Sequence, residues 1–132
     1  MKIPFLNIFK SPSKKIPAEL IKKLDYSFPN AKNIEWEIKG EIYEAIFYLN
    51  DVEHIAKFSK KAVLLEYKKN LWLEEMPETV KTGGSSYGEI MNCIAIYAGD
   101  DIFYELIIRN EKLDRFEYVF NQLGVVLKTK LL

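Results

Sequence analysis

The stretch NIEWEIKGEIYEAIFYLNDVEHIAKF, residues 33–58, decides the fold. Ile34, Trp36 and Ile38 alternate with Glu35, Glu37 and Lys39, the period of two of a strand with one buried and one wet face. Gly40-Glu41 predicts a tight turn, Ile42–Leu49 a second strand, Asn50-Asp51 a two-residue turn and Val52–Phe58 a third strand. Ser59–Lys61 turns the chain again before a fourth strand, Ala62–Tyr67.

Upstream, the period changes to that of a helix, predicted over Ser13–Ser27. Pro17 suits the first turn, where its missing N–H costs nothing, and Glu19 sits near the positive end of the dipole. Leu20, Ile21, Leu24 and Phe28 share one face, and Phe28-Pro29-Asn30-Ala31 ends the helix.

The second half repeats the first. Ile16-Pro17 recurs as Met76-Pro77, Tyr43-Glu44-Ala45-Ile46 as Tyr104-Glu105-Leu106-Ile107, and the run Lys57–Leu65 as Val119–Leu127. Self-similarity at a near-constant long offset marks duplicated supersecondary units. The expected fold class is α+β: two tandem repeats, each a helix plus a four-stranded antiparallel meander, forming one sheet-rich domain with helices on one face. Residues 1–15 read as an N-terminal arm, 16–75 as the first repeat and 76–132 as the second. Thr82-Gly83-Gly84-Ser85-Ser86 falls where the second helix should continue, so that helix is expected to be short or displaced and the segment to be a flexible loop.

Composition narrows the function. At 132 residues, 48% apolar and 29% charged, the chain has the profile of a soluble globular protein. Nineteen Lys plus Arg balance nineteen Asp plus Glu, without the basic excess of a nucleic-acid binder, so no nucleic-acid partner is expected. No apolar run is long enough to span a membrane. One Cys and one His leave no multi-cysteine zinc site, no disulfide framework and few nucleophile constellations, so no cofactor, metal or catalytic role is expected. Met1–Phe9, MKIPFLNIF, has no small-x-small cleavage site after it and reads as cytoplasmic as written.

Phe28-Pro29-Asn30-Ala31, Asn33-Ile34-Glu35-Trp36, Tyr43-Glu44-Ala45-Ile46-Phe47, Phe58 with Val63-Leu64-Leu65, and in the second copy Met76-Pro77, Tyr104-Glu105 and Phe120-Asn121-Gln122-Leu123-Gly124 carry a resemblance. Over roughly Ile16 to Leu132 the chain resembles the PepSY-like family, whose fold is related to that of the β-lactamase inhibitor protein. The family's usual turn is Asp-x-x-Gly-like, where the first copy has Ser59-Lys60-Lys61-Ala62. The resemblance implies a non-catalytic, inhibitor-like binding module and, as an alternative location, the periplasm. Fold alone does not supply a partner.

Glu35 and Glu37 lie about 7 Å apart on one strand face, within reach of acid–base work, yet alternating charge on a strand is ordinarily a solvated face. His54 reads as a satisfied, partly buried histidine, Cys93 as a small buried hydrophobe, and Asp100-Asp101 as part of a hairpin turn with Gly99. Tyr43 and Tyr104 occupy equivalent positions and read as packing residues.

The outward face is where function is expected. It carries Glu35, Glu37, Glu44, Tyr48, Glu53, Lys57 and Glu66 in the first repeat, and Glu105, Arg109, Arg115, Glu117, Lys128 and Lys130 in the second. Candidate partner-binding residues are Glu35, Glu37, Glu44, Tyr48, Glu105, Arg109, Arg115 and Lys128, presented to a protein or peptide. The alternative is a small-ligand carrier with an apolar pocket between the sheet and Leu20, Ile21, Leu24 and Trp36. A third reading is a homo-oligomer assembled through the N-terminal arm, Met1–Phe9.

Overall fold

A computed structural model describes residues 16–132. The arm 1–15, the first residues of the expected helix and any oligomer contact through Met1–Phe9 lie outside the described residues.

The chain forms two compact units, one ending at Leu65 and the other running Glu66–Leu132. Its elements are helix α1 (Ala18–Ser27), strands β1 (Lys32–Lys39), β2 (Ile42–Leu49), β3 (Val52–Phe58) and β4 (Leu64–Asn70), a 3-10 turn (Leu73–Glu75), helix α2 (Glu78–Ser85), and strands β5 (Glu89–Ala98), β6 (Asp101–Arg109), β7 (Arg115–Phe120) and β8 (Val126–Leu131). The strands follow one another in chain order. The ladders within each unit are antiparallel, and the fold class is α+β as expected.

In the first unit, β2 and β3 have the boundaries read from the alternation. Their connection, Asn50-Asp51, takes positive φ at both residues (50° and 65°), the geometry that matches strand twist in a two-residue hairpin. The core side carries Trp36, Ala45 and Ala56 in one cross-strand row and Phe47 opposite His54 in another. Helix α1 buries Leu20 and Leu24, and Phe28 just beyond its end meets Phe47 with ring centroids 4.9 Å apart. Ile21, expected on the same face, is 45% exposed. Positions 20, 24 and 28 stack at helical spacing, and 21 is rotated about 100° from 20. The fourth strand starts later than expected, at Leu64, because Ser59–Val63 closes as a five-residue loop with Ser59 N–H donating to the Val63 carbonyl.

In the second unit, Met76, Val80, Cys93, Ala95, Tyr104, Leu106, Ile108 and Phe120 form the core cluster. The two units divide between Leu65 and Glu66, within β4, and two local arrangements recur in both halves. The Pro17 carbonyl accepts from the N–H groups of Leu20 and Ile21, and the Pro77 carbonyl accepts from those of Val80 and Lys81. Tyr43 pairs with Phe58 as Tyr104 pairs with Phe120.

The expectation for Thr82–Ser86 is corrected in part. Helix α2 is short, but it runs through both glycines to Ser85. A Cβ on Gly83 would stand 2.8 Å from the Gly124 carbonyl oxygen, and one on Gly84 would stand 2.7 Å from a Leu106 methyl. The glycines let the helix approach the strands and the 121–125 loop closely, and the packing offsets their low helix propensity.

Candidate protein-binding face

Strand alternation fixes which side chains share the face away from each core. In the first unit, cross-strand rows on that face are Lys32, Tyr48 and Glu53; Glu35, Ile46 and Ile55; and Glu37, Glu44 and Lys57. In the second they are Ile94, Glu105, Val119 and Lys128; Asn92, Ile107, Glu117 and Lys130; and Glu89, Arg109 and Arg115. The register therefore brings Glu35, Glu37, Glu44 and Tyr48 together on one unit's outer face and Glu105, Arg109, Arg115 and Lys128 together on the other's.

These residues are not equally presented. Tyr48, Glu53, Arg115, Lys128 and Lys130 are exposed, and Glu35, Glu37, Lys57, Glu105, Arg109 and Glu117 are half-buried. Glu44 is buried. Its two carboxylate oxygens lie 3.4 Å from Lys39 Nζ and 3.9 Å from Lys57 Nζ, and Lys39 Nζ also lies 3.7 Å from Glu37. A carboxylate this far out of water needs such compensation. Lys39 was missed in the sequence because the pairing runs diagonally across the Gly40-Glu41 turn. Arg109 donates to Glu89 at 2.7 Å, a contact between strand partners twenty positions apart that only the β5–β6 register creates.

The other candidates fall inside the fold. His54 is buried and stacks on Phe47, with centroids 5.5 Å apart and planes 14° from parallel. Cys93 is buried in the core cluster, and burial pushes its thiol up to about 12, which leaves the reactive thiolate unpopulated at neutral pH. Tyr67 stacks on Tyr97 at 5.6 Å; burial first, and then its tyrosine neighbour, pushes Tyr67 up to about 12. Gly99 takes φ +61° in the turn between β5 and β6, with Asp101 already paired to Ala98. Among the described residues, no three His, Cys, Asp or Glu side chains converge in a way that would hold a metal ion.

The helix-side pocket of the carrier reading is not formed by the residues assigned to it. Leu20 and Leu24 are fully packed and Ile21 faces solvent. One open cleft of the first unit lies instead at its loop end, between Ser27–Asn30, Lys32-Asn33 and Tyr48–Asp51, with a largely polar lining. No described helix is long and apolar enough to cross a membrane.

No family model matches the sequence, and no curated protein matches it. Solved structures do. A protein of Bacteroides eggerthii, provisionally described as periplasmic, is 18% identical with a TM-score of 0.79, covering 89% of this chain and 90% of that one. A DUF2874 family protein of Bacteroides uniformis is 17% identical with a TM-score of 0.78 over 89% of this chain and 90% of that one. A BLIP-like protein of Bacteroides fragilis is 20% identical with a TM-score of 0.75 over 92% of this chain and 90% of that one. The fold is thus of the BLIP-like type, and at these identities the likeness is one of fold.

Proposed function

We propose that this chain is a non-catalytic, inhibitor-like binding module related to the PepSY-like proteins, and that it captures a protein or peptide on its charged strand faces outside the cytoplasm. One observation carries the reading: the strand register gathers Glu105, Arg109, Arg115 and Lys128 on the side opposite the core, where packing does not require charge. Lysines and arginines beside carboxylates on a rigid sheet orient and select a partner of complementary charge. The BLIP-like neighbour supports a binding role, and the neighbour described as periplasmic supports the location. Glu35, Glu37, Glu44 and Tyr48 form the corresponding set on the first unit, with buried Glu44 holding its lysines in place.

The test is a pull-down from periplasmic extract of the source organism with the whole chain, comparing wild type with Glu105→Lys, Arg109→Glu and Arg115→Glu. The control is Lys22→Glu on the exposed side of α1. Capture of one stoichiometric protein, retained by the control and lost in the three reversals, supports the reading. Equal capture by all four variants removes this face as the binding surface.

A further inference from the structure

We infer that β1 of one copy and β8 of another add to each other as antiparallel strands, joining copies of this chain head to tail through complementary charge. Among the described residues, β1 is laddered to β2 and β8 to β7, each on one side, so each offers a second backbone edge for pairing. The two edges carry matching patterns. On β1 the outer face presents Glu35 and Glu37, followed by Lys39 beside Glu37, and Ile34, Trp36 and Ile38 alternate with them. On β8 the outer face presents Lys128 and Lys130, and Leu127, Thr129 and Leu131 alternate with them.

One antiparallel register sets both carboxylates against both lysines. Glu35 faces Lys130 and Glu37 faces Lys128 on the outer side; Ile34 faces Leu131, Trp36 faces Thr129 and Ile38 faces Leu127 on the other. Leu127 and Leu131 are 50% and 62% exposed, and Ile34 is 37% exposed, so the pairing covers apolar surface that the isolated chain leaves to water. Opposite charges directly across a strand pair stabilise it and like charges weaken it.

The same charges oppose like-with-like pairing. β8 contains no acidic residue, so two β8 strands set lysine against lysine. Two β1 strands centred on Trp36 set Glu35 against Glu37 twice. The pattern therefore disfavours these symmetric pairings and favours the unlike pair, a heterologous contact that builds rings or chains rather than closing at two copies. The inference shares Glu35, Glu37 and Lys128 with the binding reading, whose test varies only Glu105, Arg109 and Arg115 of β6 and β7, so each can fail without the other.

The experiment is light scattering on the full chain across a concentration series at low and high salt. Wild type is expected to exceed the 15.4 kDa of one chain as concentration rises at low salt, and to return toward it at high salt as the pairs are screened. Two double variants, Glu35→Lys with Glu37→Lys and Lys128→Glu with Lys130→Glu, are each expected to stay monomeric. The quadruple variant, with charges exchanged between the edges, is expected to assemble again. Circular dichroism checks that all three are folded. A wild type that stays monomeric throughout overturns the proposal, as does loss of assembly without rescue in the quadruple variant. Assembly that survives both double reversals also overturns it and points to the N-terminal arm.

Discussion

The carbonyl oxygen of Thr79, in the first turn of α2, stands 2.4 Å from the point where a Cβ on Gly124 would lie. Thr79 Oγ1 also donates to the Gln122 carbonyl at 2.6 Å, so the start of α2 is pinned to the 121–125 loop by a side-chain hydrogen bond beside the close backbone approach. Gly124 has φ +83° and neither partner can rotate away. Gly124→Ala is expected to cost about 3 kcal/mol, combining left-handed strain with overpacking. Urea unfolding monitored by tryptophan fluorescence measures it. Gly83→Ala, which meets the Gly124 carbonyl, is expected to cost more than Gly84→Ala, whose nearest neighbours are the movable side-chain ends of Leu106 and Ile90. Equal costs would show that the loop yields.

Leu113 is the opposite case. It holds φ +67° in the 110–114 loop, is 69% exposed, and occupies the position that Gly124 occupies in its own loop. A leucine in the left-handed region is strained, and here little burial offsets the strain. Leu113→Gly is expected to raise stability by about 0.5 kcal/mol, after allowing for the greater freedom of glycine in the unfolded chain. Ala62→Gly, at φ +62° in the equivalent first-unit loop, is expected to act in the same direction. A fall in the urea midpoint for both variants would contradict this account.

Three loops, 59–63, 110–114 and 121–125, are built on one plan. Asn110 Oδ1 accepts from the N–H groups of Lys112 and Asp114 at 3.0 Å each, and Asn121 Oδ1 accepts from Leu123 and Val125 at 2.9 and 3.0 Å. Ser59 Oγ does the same from Lys61 and Val63 at a longer 3.2 Å. Asn110→Ala and Asn121→Ala are each expected to cost about 1–2 kcal/mol, for two lost hydrogen bonds near water. Asn121→Ser is expected to cost less, because the serine plan already works in the first unit. Differential scanning calorimetry gives the order, and a serine variant no better than alanine would break the equivalence.

Above its ordinary value of 10, Tyr67 ionises in the unfolded chain before it does so in the folded one, where it is pushed up to about 12. Tyr104 is raised in the same direction, by burial first and then by Tyr97 and Cys93, and Cys93 itself is pushed up to about 12. The folded state therefore holds more protons in this window, and stability is expected to fall as pH rises through it. Below the unfolded values this contribution is fully present. Urea midpoints between neutral pH and the alkaline limit should trace the decline, and Tyr67→Phe should make it shallower. A profile flat into that window would mean the tyrosines are better solvated than their packing indicates. Cys93 should react with a thiol reagent at the rate of unfolding rather than at that of a free thiol.

The residues of this chain determined its hairpins. Alternation from Ile42 to Phe58 and the Asn50-Asp51 turn are short-range signals, because side-chain period and turn dihedrals depend on neighbouring residues only, and both strand boundaries follow from them. The duplication was equally legible, since Pro17 and Pro77 each start a helix by the same local geometry. The face bearing Glu35, Glu37, Glu105 and Arg115 also follows from alternation alone. Tertiary packing decided the rest. Gly83 and Gly84 are helical because Gly124 and Leu106 lie close beside them, which no local propensity encodes. Buried Glu44 is compensated by Lys39 and Lys57, which converge on it from two other strands, and Arg109 meets Glu89 because register sets them opposite. Proximity between residues distant in the chain depends on how surfaces fit, and that fit exists only once the strands have paired.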